Sequence, residues 1–235
     1  MNLVRAGSAS GVVAGLLLLP GIMGHDVGPR LGETTPDELV AFFESEATLI
    51  QVGTVLGGLA AAFFLIWLGS LRGSLRLTEG RFGHISDVAF AGGLVTAAFY
   101  LIAVLCMAAP LFRDLAALDP TTVQTFYSFR LLGEVLWFSP FPVAVFVGAV
   151  SIAVLTWRIL PRWTGWFGVL VTAMALLSGL RPLAGTGSTA SGVLDAAGIL
   201  MHFMFALWMV LTALIMTMRP VRARDGEAAS VAGTV

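Results

Sequence analysis

The stretch "TLIQVGTVLGGLAAAFFLIWLGSL", residues 48–71, decides the fold, because it contains no charged residue. A helix crosses the hydrocarbon core of a bilayer in about 20 residues, so this run is long enough to span a membrane. The whole chain has a matching composition, since 57% of its 235 residues are hydrophobic and 11% are charged. Soluble domains carry roughly 25% charged residues. We therefore expect an integral membrane protein.

Five more apolar runs have a similar length, and with the first they predict an all-α polytopic bundle of six transmembrane helices. The run nearest the N-terminus, residues 8–27, could be a signal peptide, but no A-x-A-like cleavage site follows it, which favours an uncleaved span. We expect residues 1–219 to form the membrane domain and residues 220–235 to form a short disordered cytoplasmic tail. The predicted spans are residues 8–27, 48–71, 85–111, 131–157, 163–183 and 193–218.

The distribution of basic residues orients the predicted bundle. All 13 of them are arginines, and nine fall on one side of the six spans while four fall on the other. Basic residues near span ends are enriched on the cytoplasmic side, so both termini are predicted to be cytoplasmic in a bacterial plasma membrane. The absence of lysine excludes a cofactor held as a lysine Schiff base, and we expect no cofactor.

Two outer segments carry helix-start signals before the chain re-enters the membrane. In "TPDELVAFFESEATL", Thr35 is placed as an N-cap, Pro36 suits the first position and Glu38 completes a capping box. In "DPTTVQTFYSF", Asp119 and Pro120 repeat the opening. The pattern predicts two short outer amphipathic helices, which either lie along the membrane surface or stand above it as a vestibule.

The stretch "RLLGEVLW", residues 130–137, places Arg130 and Glu134 four residues apart on one helix face. Mutual neutralisation is one explanation of this pair. The other explanation is a site, because Pro140 and Pro142 remove helix hydrogen bonds just downstream. An acid near a broken membrane helix is typical of ion or substrate sites in carriers.

His202 lies near mid-depth in the last predicted span, where an ionisable side chain is a functional candidate. Asp195 precedes it by seven residues on the same helix face and lies nearer the outer surface. One interpretation is a path for a proton or cation between the two. The other is a neutral histidine hydrogen-bonded across helices and an aspartate favoured by the dipole at a helix start.

Nearly all the membrane-proximal charge gathers at the outer leaflet, since His25 and Asp26 end the first predicted span and Arg181 ends the fifth. This gathering predicts an outward-facing polar pocket for a small polar or amphiphilic ligand. Snorkelling of helix-end side chains would produce the same pattern. No spacing places two metal ligands on one helical turn, so we expect no metal site and assign no catalytic residue. The residues predicted to bind the ligand are Arg130, Glu134, Arg181, Asp195, His202, His25 and Asp26.

Three stretches resemble a broad group of actinobacterial multipass integral membrane proteins with a domain of unknown function. They are "ILPRWTGWFGVL" (residues 159–170), "TPDELVAFFESEATLI" (residues 35–50) and "FLIWLGSLRGSLR" (residues 64–76). The resemblance implies a helical membrane fold with a short cytoplasmic connection at Pro161, Arg162, Trp163, Gly165 and Trp166. It implies no catalytic residues.

Three functions stay open. The favoured one is a non-enzymatic envelope module that binds a ligand or a partner protein in its outer pocket. The second is a proton- or ion-coupled small-molecule carrier that uses Glu134 and His202. The third is an intramembrane lipid-modifying enzyme with Glu134, Asp195 or His202 as general acid or base. The expected partners are the lipid bilayer, the ligand, and a second copy of the chain or another membrane protein, with no nucleic acid.

Overall fold

The described part of the chain is almost entirely helical, which confirms the predicted all-α class. A computed structural model describes residues 3–26, 29, 34–79, 84–131, 139–184 and 188–218, and no strand occurs in them. Short 3₁₀ turns occupy Ala109–Phe112, Leu115–Ala117 and Arg181–Leu183. The α-helices of these residues are α1 (Leu3–Asp26), α2 (Pro36–Ser45), α3 (Ala47–Glu79), α4 (Ile85–Ala108), α5 (Pro120–Leu131), α6 (Pro140–Trp157), α7 (Arg162–Ser178) and α8 (Thr189–Met218).

Five helical segments of the described residues are long and apolar enough to cross a membrane, and they coincide with the last five predicted spans. Their boundaries differ in places. The 33-residue α3 continues to Glu79, about two turns past the predicted end, and at 1.5 Å per residue it is roughly 50 Å long. It is therefore longer than the hydrocarbon core of a bilayer. The five segments are Ala47–Glu79, Ile85–Phe112, Pro140–Trp157, Arg162–Leu183 and Thr189–Met218.

The six long helices form a closed ring. Each of α3, α4, α6, α7 and α8 packs against the next in that order, and α1 closes the ring between α3 and α8. Neighbours run antiparallel, as shown by the approach of Gly7 to Ser70 and of Gly11 to Trp67. We call the end at which α3, α6 and α8 begin the capped end, and the opposite end the arginine end.

Five aromatic side chains fill the centre of the ring and form what we call the aromatic core. They come from α3, α6 and α8, which are alternate members of the ring, so their contacts lie at its axis. Most of the ring pairs are edge-to-face with centroids about 6 Å apart, a favourable arrangement of aromatic quadrupoles. All five are buried. The members are Phe64, Trp67, Phe146, Phe205 and Trp208.

Glycines allow α1 to approach its two neighbours closely. A Cβ atom added at Gly11 would lie 2.5 Å from Trp67 Cδ1 and 2.8 Å from the Cβ of Ala213. Gly7 and Gly15, one turn away on each side, meet α3 and α8 in the same way. Small residues at four-residue spacing are the usual means by which membrane helices bring their backbones together. This face of α1 was not recognised from the sequence.

Of three glycines elsewhere in the bundle, two lie against a neighbouring helix and one does not. A Cβ at Gly57 would lie 3.0 Å from Val104, and one at Gly93 would lie 2.6 Å from Leu68. Gly53, in contrast, has nothing within 4 Å of the added atom. The four-residue spacing of small residues identifies which glycines share a helix face, but it does not say which face meets a neighbouring helix.

At the capped end, α2 and α5 pack on each other and form a second hydrophobic core over α3 and α4, which we call the cap. Leu39 and Phe43 of α2 are fully buried there, beside Tyr127 of α5. The alternative in which the apolar face of α2 rests on lipid is therefore wrong. The predicted capping box is confirmed, because Glu38 accepts a hydrogen bond from the Thr35 N–H at 2.8 Å and Thr35 Oγ1 accepts one from the Glu38 N–H at 3.3 Å.

Candidate functional site

An ion pair between the 3₁₀ turn after α7 and helix α8 is the central feature of the capped end. Arg181 Nε donates to Asp195 Oδ1 at 2.6 Å, and its Nη1 donates to the carbonyl oxygen of Ala184 at 3.3 Å. Only 11% of the Arg181 side chain is exposed, against 34% for Asp195. The structure thus brings together two of the predicted ligand-binding residues, one from the 3₁₀ turn after α7 and one from α8.

Chain geometry explains how this pair forms. Helix α7 ends at Ser178, and a 3₁₀ turn that begins at Arg181 directs the chain toward α8. Asp195 lies six residues inside α8, beyond the first turn, where the helix dipole acts only weakly. The earlier explanation of Asp195 by the dipole is therefore wrong, and its stabilisation comes from the arginine.

His202 lies two turns deeper on α8 and does not share a hydrogen bond with Asp195. Its Nδ1 lies 2.8 Å from the carbonyl oxygen of Gly198, and because a carbonyl only accepts, Nδ1 carries the hydrogen. In the neutral ring Nε2 is then an acceptor. The bond lies within α8, so the prediction of a histidine bonded across helices is wrong. Seven residues separate His202 from Asp195, about 10 Å along the helix axis.

The remaining predicted residues fall at or beyond the limits of the described chain. Glu134 lies outside the described residues, and so do the side chains of Arg130, His25 and Asp26. The backbone of Arg130, in the last turn of α5, and that of His25 and Asp26, in the last turn of α1, lie at the capped end. The convergence of all seven residues on one pocket therefore stays a prediction.

A second polar cluster at the arginine end ties α3 to α4. Asp87 accepts hydrogen bonds from Arg72 at 2.7 and 3.1 Å and from Arg76 at 3.0 and 3.1 Å. The Arg72 guanidinium also lies 4.5 Å from the ring centroid of Phe90, in cation–π range. Glu79 accepts hydrogen bonds from the backbone N–H groups at the start of α4. These contacts hold the end of α3 to the start of α4.

Sequence reasoning missed the arginine-end cluster because it used Arg72 and Arg76 only to orient the bundle. The signal was present, since Glu79 and Asp87 flank a short connection between two apolar runs that also carries the arginines. An acid at the start of a helix and a cation at the end of the preceding one are favoured by both helix dipoles. The cluster has the chemistry of a structural clamp, because each of its acids is used within it.

Comparisons with protein-family models, curated proteins and solved structures found no match to this chain. The resemblance to actinobacterial membrane proteins therefore stays a prediction. Within the described ranges, no three side chains of His, Cys, Asp or Glu lie close enough to hold a metal ion.

Proposed function

We propose that the protein is a six-span module of the bacterial plasma membrane, with both termini in the cytoplasm, that binds a ligand or partner protein at its capped end. The observation that carries this proposal is the partly buried ion pair of Arg181 and Asp195 at that end, above an aromatic core that fills the axis of the bundle.

The sixth span is α1. Its 24 helical residues are about 36 Å long, enough to cross the hydrocarbon core. Like every other helix of the ring, α1 packs along two neighbours, and its glycine face lies against α3 and α8. The excess of arginine at the arginine end supports a cytoplasmic position for that end and for both termini.

Cysteine accessibility tests this orientation. In a Cys106→Ala background, Glu44→Cys reports on the capped end and His84→Cys on the arginine end, since both positions are exposed. A membrane-impermeant maleimide added to intact cells should label Glu44→Cys, and it should label His84→Cys only after lysis. The reverse pattern would contradict the proposed topology.

Binding is better supported than transport because of what lies on the bundle axis. A carrier that uses His202 needs a polar path beside it, but the residues one to two turns further toward the arginine end are Phe205 and Trp208 of the aromatic core. The His202 Nδ1–H group also donates its hydrogen bond to the Gly198 carbonyl oxygen of the same helix. Asp195 and His202 therefore lie on the capped side of the aromatic core.

The chemistry of the pair indicates the class of ligand. Arginine binds planar oxyanions through several N–H groups, so an anionic head group of an amphiphile can compete with Asp195 for it. The exposed apolar surface of the surrounding helices suits the tail of such a molecule. A partner protein with a carboxylate in the same position would be recognised by the same exchange.

Native mass spectrometry of the gently extracted protein distinguishes ligand from partner, because it reports bound mass and stoichiometry together. We expect a bound species in the wild type and its loss in Arg181→Gln. Arg113→Gln is the matched control, because Arg113 is exposed at the same end and forms no ion pair within the described residues. A wild type without bound species, or equal retention in both variants, would refute the proposal.

A further inference from the structure

The turn between α6 and α7 has an unusual backbone at an arginine. Arg158 has φ 56° and ψ 35°, the left-handed conformation, and its N–H donates to the carbonyl oxygen of Val154 at 2.9 Å. No other non-glycine residue of the described chain has a positive φ. Glycine is favoured at such a helix C-terminus because it has no Cβ to clash. An arginine that occupies the place of a glycine suggests a use for its side chain.

The arginines of this turn lack the neutralisation that Arg72 and Arg76 receive at the same end. Arg72 and Arg76 both bind Asp87. Arg158 and Arg162 are exposed, and neither forms an ion pair or a side-chain hydrogen bond with any described residue. Two uncompensated guanidinium groups therefore stand four residues apart in one short turn.

Two tryptophans lie directly beside these arginines. Trp163 and Trp166 are 51% and 65% exposed, and tryptophan is enriched at the level of the lipid head groups. Further along α7, Val169 and Leu170 are also exposed. The surface thus changes from cationic to amphipathic to apolar along one direction, which is the order of the parts of a phospholipid.

We propose that this basic turn, made of Arg158, Arg162, Trp163 and Trp166, binds an anionic phospholipid of the leaflet at the arginine end. The guanidinium groups contact the phosphate, and the indole rings pack against the glycerol backbone and the first acyl carbons. Basic sites on the cytoplasmic side of membrane helices are suited to anionic head groups. The exposed apolar side chains of α7 favour a lipid over a free phosphate. The turn lies opposite the Arg181–Asp195 pair, so the two binding proposals can fail separately.

Lipid titration of the purified full-length protein in mild detergent tests the site. Phosphatidylglycerol and phosphatidylcholine are added in parallel, and native mass spectrometry measures the fraction of protein that carries each lipid. The wild type should prefer phosphatidylglycerol. Because each arginine near an anionic surface contributes about a fivefold preference, Arg158→Gly and Arg162→Gln should each lower the preference about fivefold. Arg113→Gln, at the opposite end, should leave it unchanged.

Arg158→Gly also separates a binding role from a structural one. Relief of the left-handed strain should raise its thermal midpoint in lipid-free detergent by a few degrees while its lipid preference falls. If Arg158 had only a structural role, its replacement by glycine would lower both the thermal midpoint and the lipid preference. An unchanged lipid preference in the variant that combines Arg158→Gly with Arg162→Gln, an equal loss in Arg113→Gln, or full competition by soluble glycerol phosphate would each overturn the proposal.

Discussion

Replacing Gly11 with alanine should weaken the contact of α1 with the rest of the bundle. The added Cβ would lie 2.5 Å from Trp67 Cδ1 and 2.8 Å from the Cβ of Ala213, whereas carbon atoms in contact are normally about 3.5–4.0 Å apart. A shift of about 1 Å is therefore needed. Trp67 is fully buried and enclosed by other rings, and the Ala213 Cβ is fixed to the α8 backbone, so α1 itself must move.

Two opposing terms set the size of the effect. Overpacking a rigid site costs about 1–3 kcal/mol, while alanine in place of glycine in a helix contributes about 1 kcal/mol of stability. Because both neighbours of Gly11 are rigid, we expect the upper half of the first range and a net loss of about 1–2 kcal/mol. Gly69→Ala is the control, since nothing lies within 4 Å of its added atom, and it should gain about 1 kcal/mol from helix propensity alone.

Cys106 provides the assay, because it is the single cysteine of the chain and lies partly buried in α4. A thiol-reactive fluorophore in detergent reports its exposure on heating. For a chain of this size, 1 kcal/mol corresponds to roughly 2–4 °C, so the two variants, which differ by about 2–3 kcal/mol, should differ in thermal midpoint by roughly 4–12 °C. If Gly11→Ala proves as stable as Gly69→Ala, α1 does not seat on Trp67, and the closed ring of helices is wrong.

The two residues of the ion pair at the capped end should be energetically coupled in a double-mutant cycle of thermal unfolding. Arg181→Gln should cost about 2 kcal/mol because it strands a partly buried Asp195, and the double variant with Asp195→Asn should cost less than the sum of the single variants. Hydrogen bonds from Thr35 lower the pKa of Glu38. The contribution of Glu38 to the stability of α2 is therefore complete above its unfolded pKa and is lost as pH falls through its folded pKa. The protection factors of the α2 amides, which are corrected for the intrinsic pH dependence of exchange, should accordingly fall in acid for the wild type and should show no such step in Glu38→Gln. Gly168→Ala should destabilise by about 1–3 kcal/mol because its Cβ would meet Ser151 Oγ, and adding Ser151→Ala should restore part of the loss.

Hydrophobic length was sufficient to predict most of the fold. The runs that became α3, α4, α6, α7 and α8 are long enough that no other element of the same composition is stable in a bilayer. The length of α3 was underestimated, since Arg72 and Arg76 look like the end of a span. In the structure both bind Asp87 of the next helix, so the helix can continue past them.

The candidate site was predicted less completely, because pairing across helices depends on rotation about each helix axis. Arg181 and Asp195 were both assigned to the outer polar set, but the sequence did not say that they bind each other. The rotation of α8 is set by Trp208, whose indole N–H donates to the carbonyl oxygen of Thr164 at 3.1 Å. Gly168 leaves the space for that ring. Such a long-range contact has no local signature.

The aromatic core limits what the polar groups of α8 can do together. Six ring pairs join α3, α6 and α8 in the described part of the bundle, and each contributes about 0.5–1.5 kcal/mol beyond its burial. Parting these helices to open an axial path would therefore cost several kcal/mol, and a state 5 kcal/mol above the ground state is populated at only about 1 in 5,000. A ligand that drives alternating access would have to supply that difference through contacts made in the open state alone. Binding at the capped end needs no such rearrangement, because exchange of Asp195 for a ligand anion leaves the packing of Phe146 and Trp208 intact.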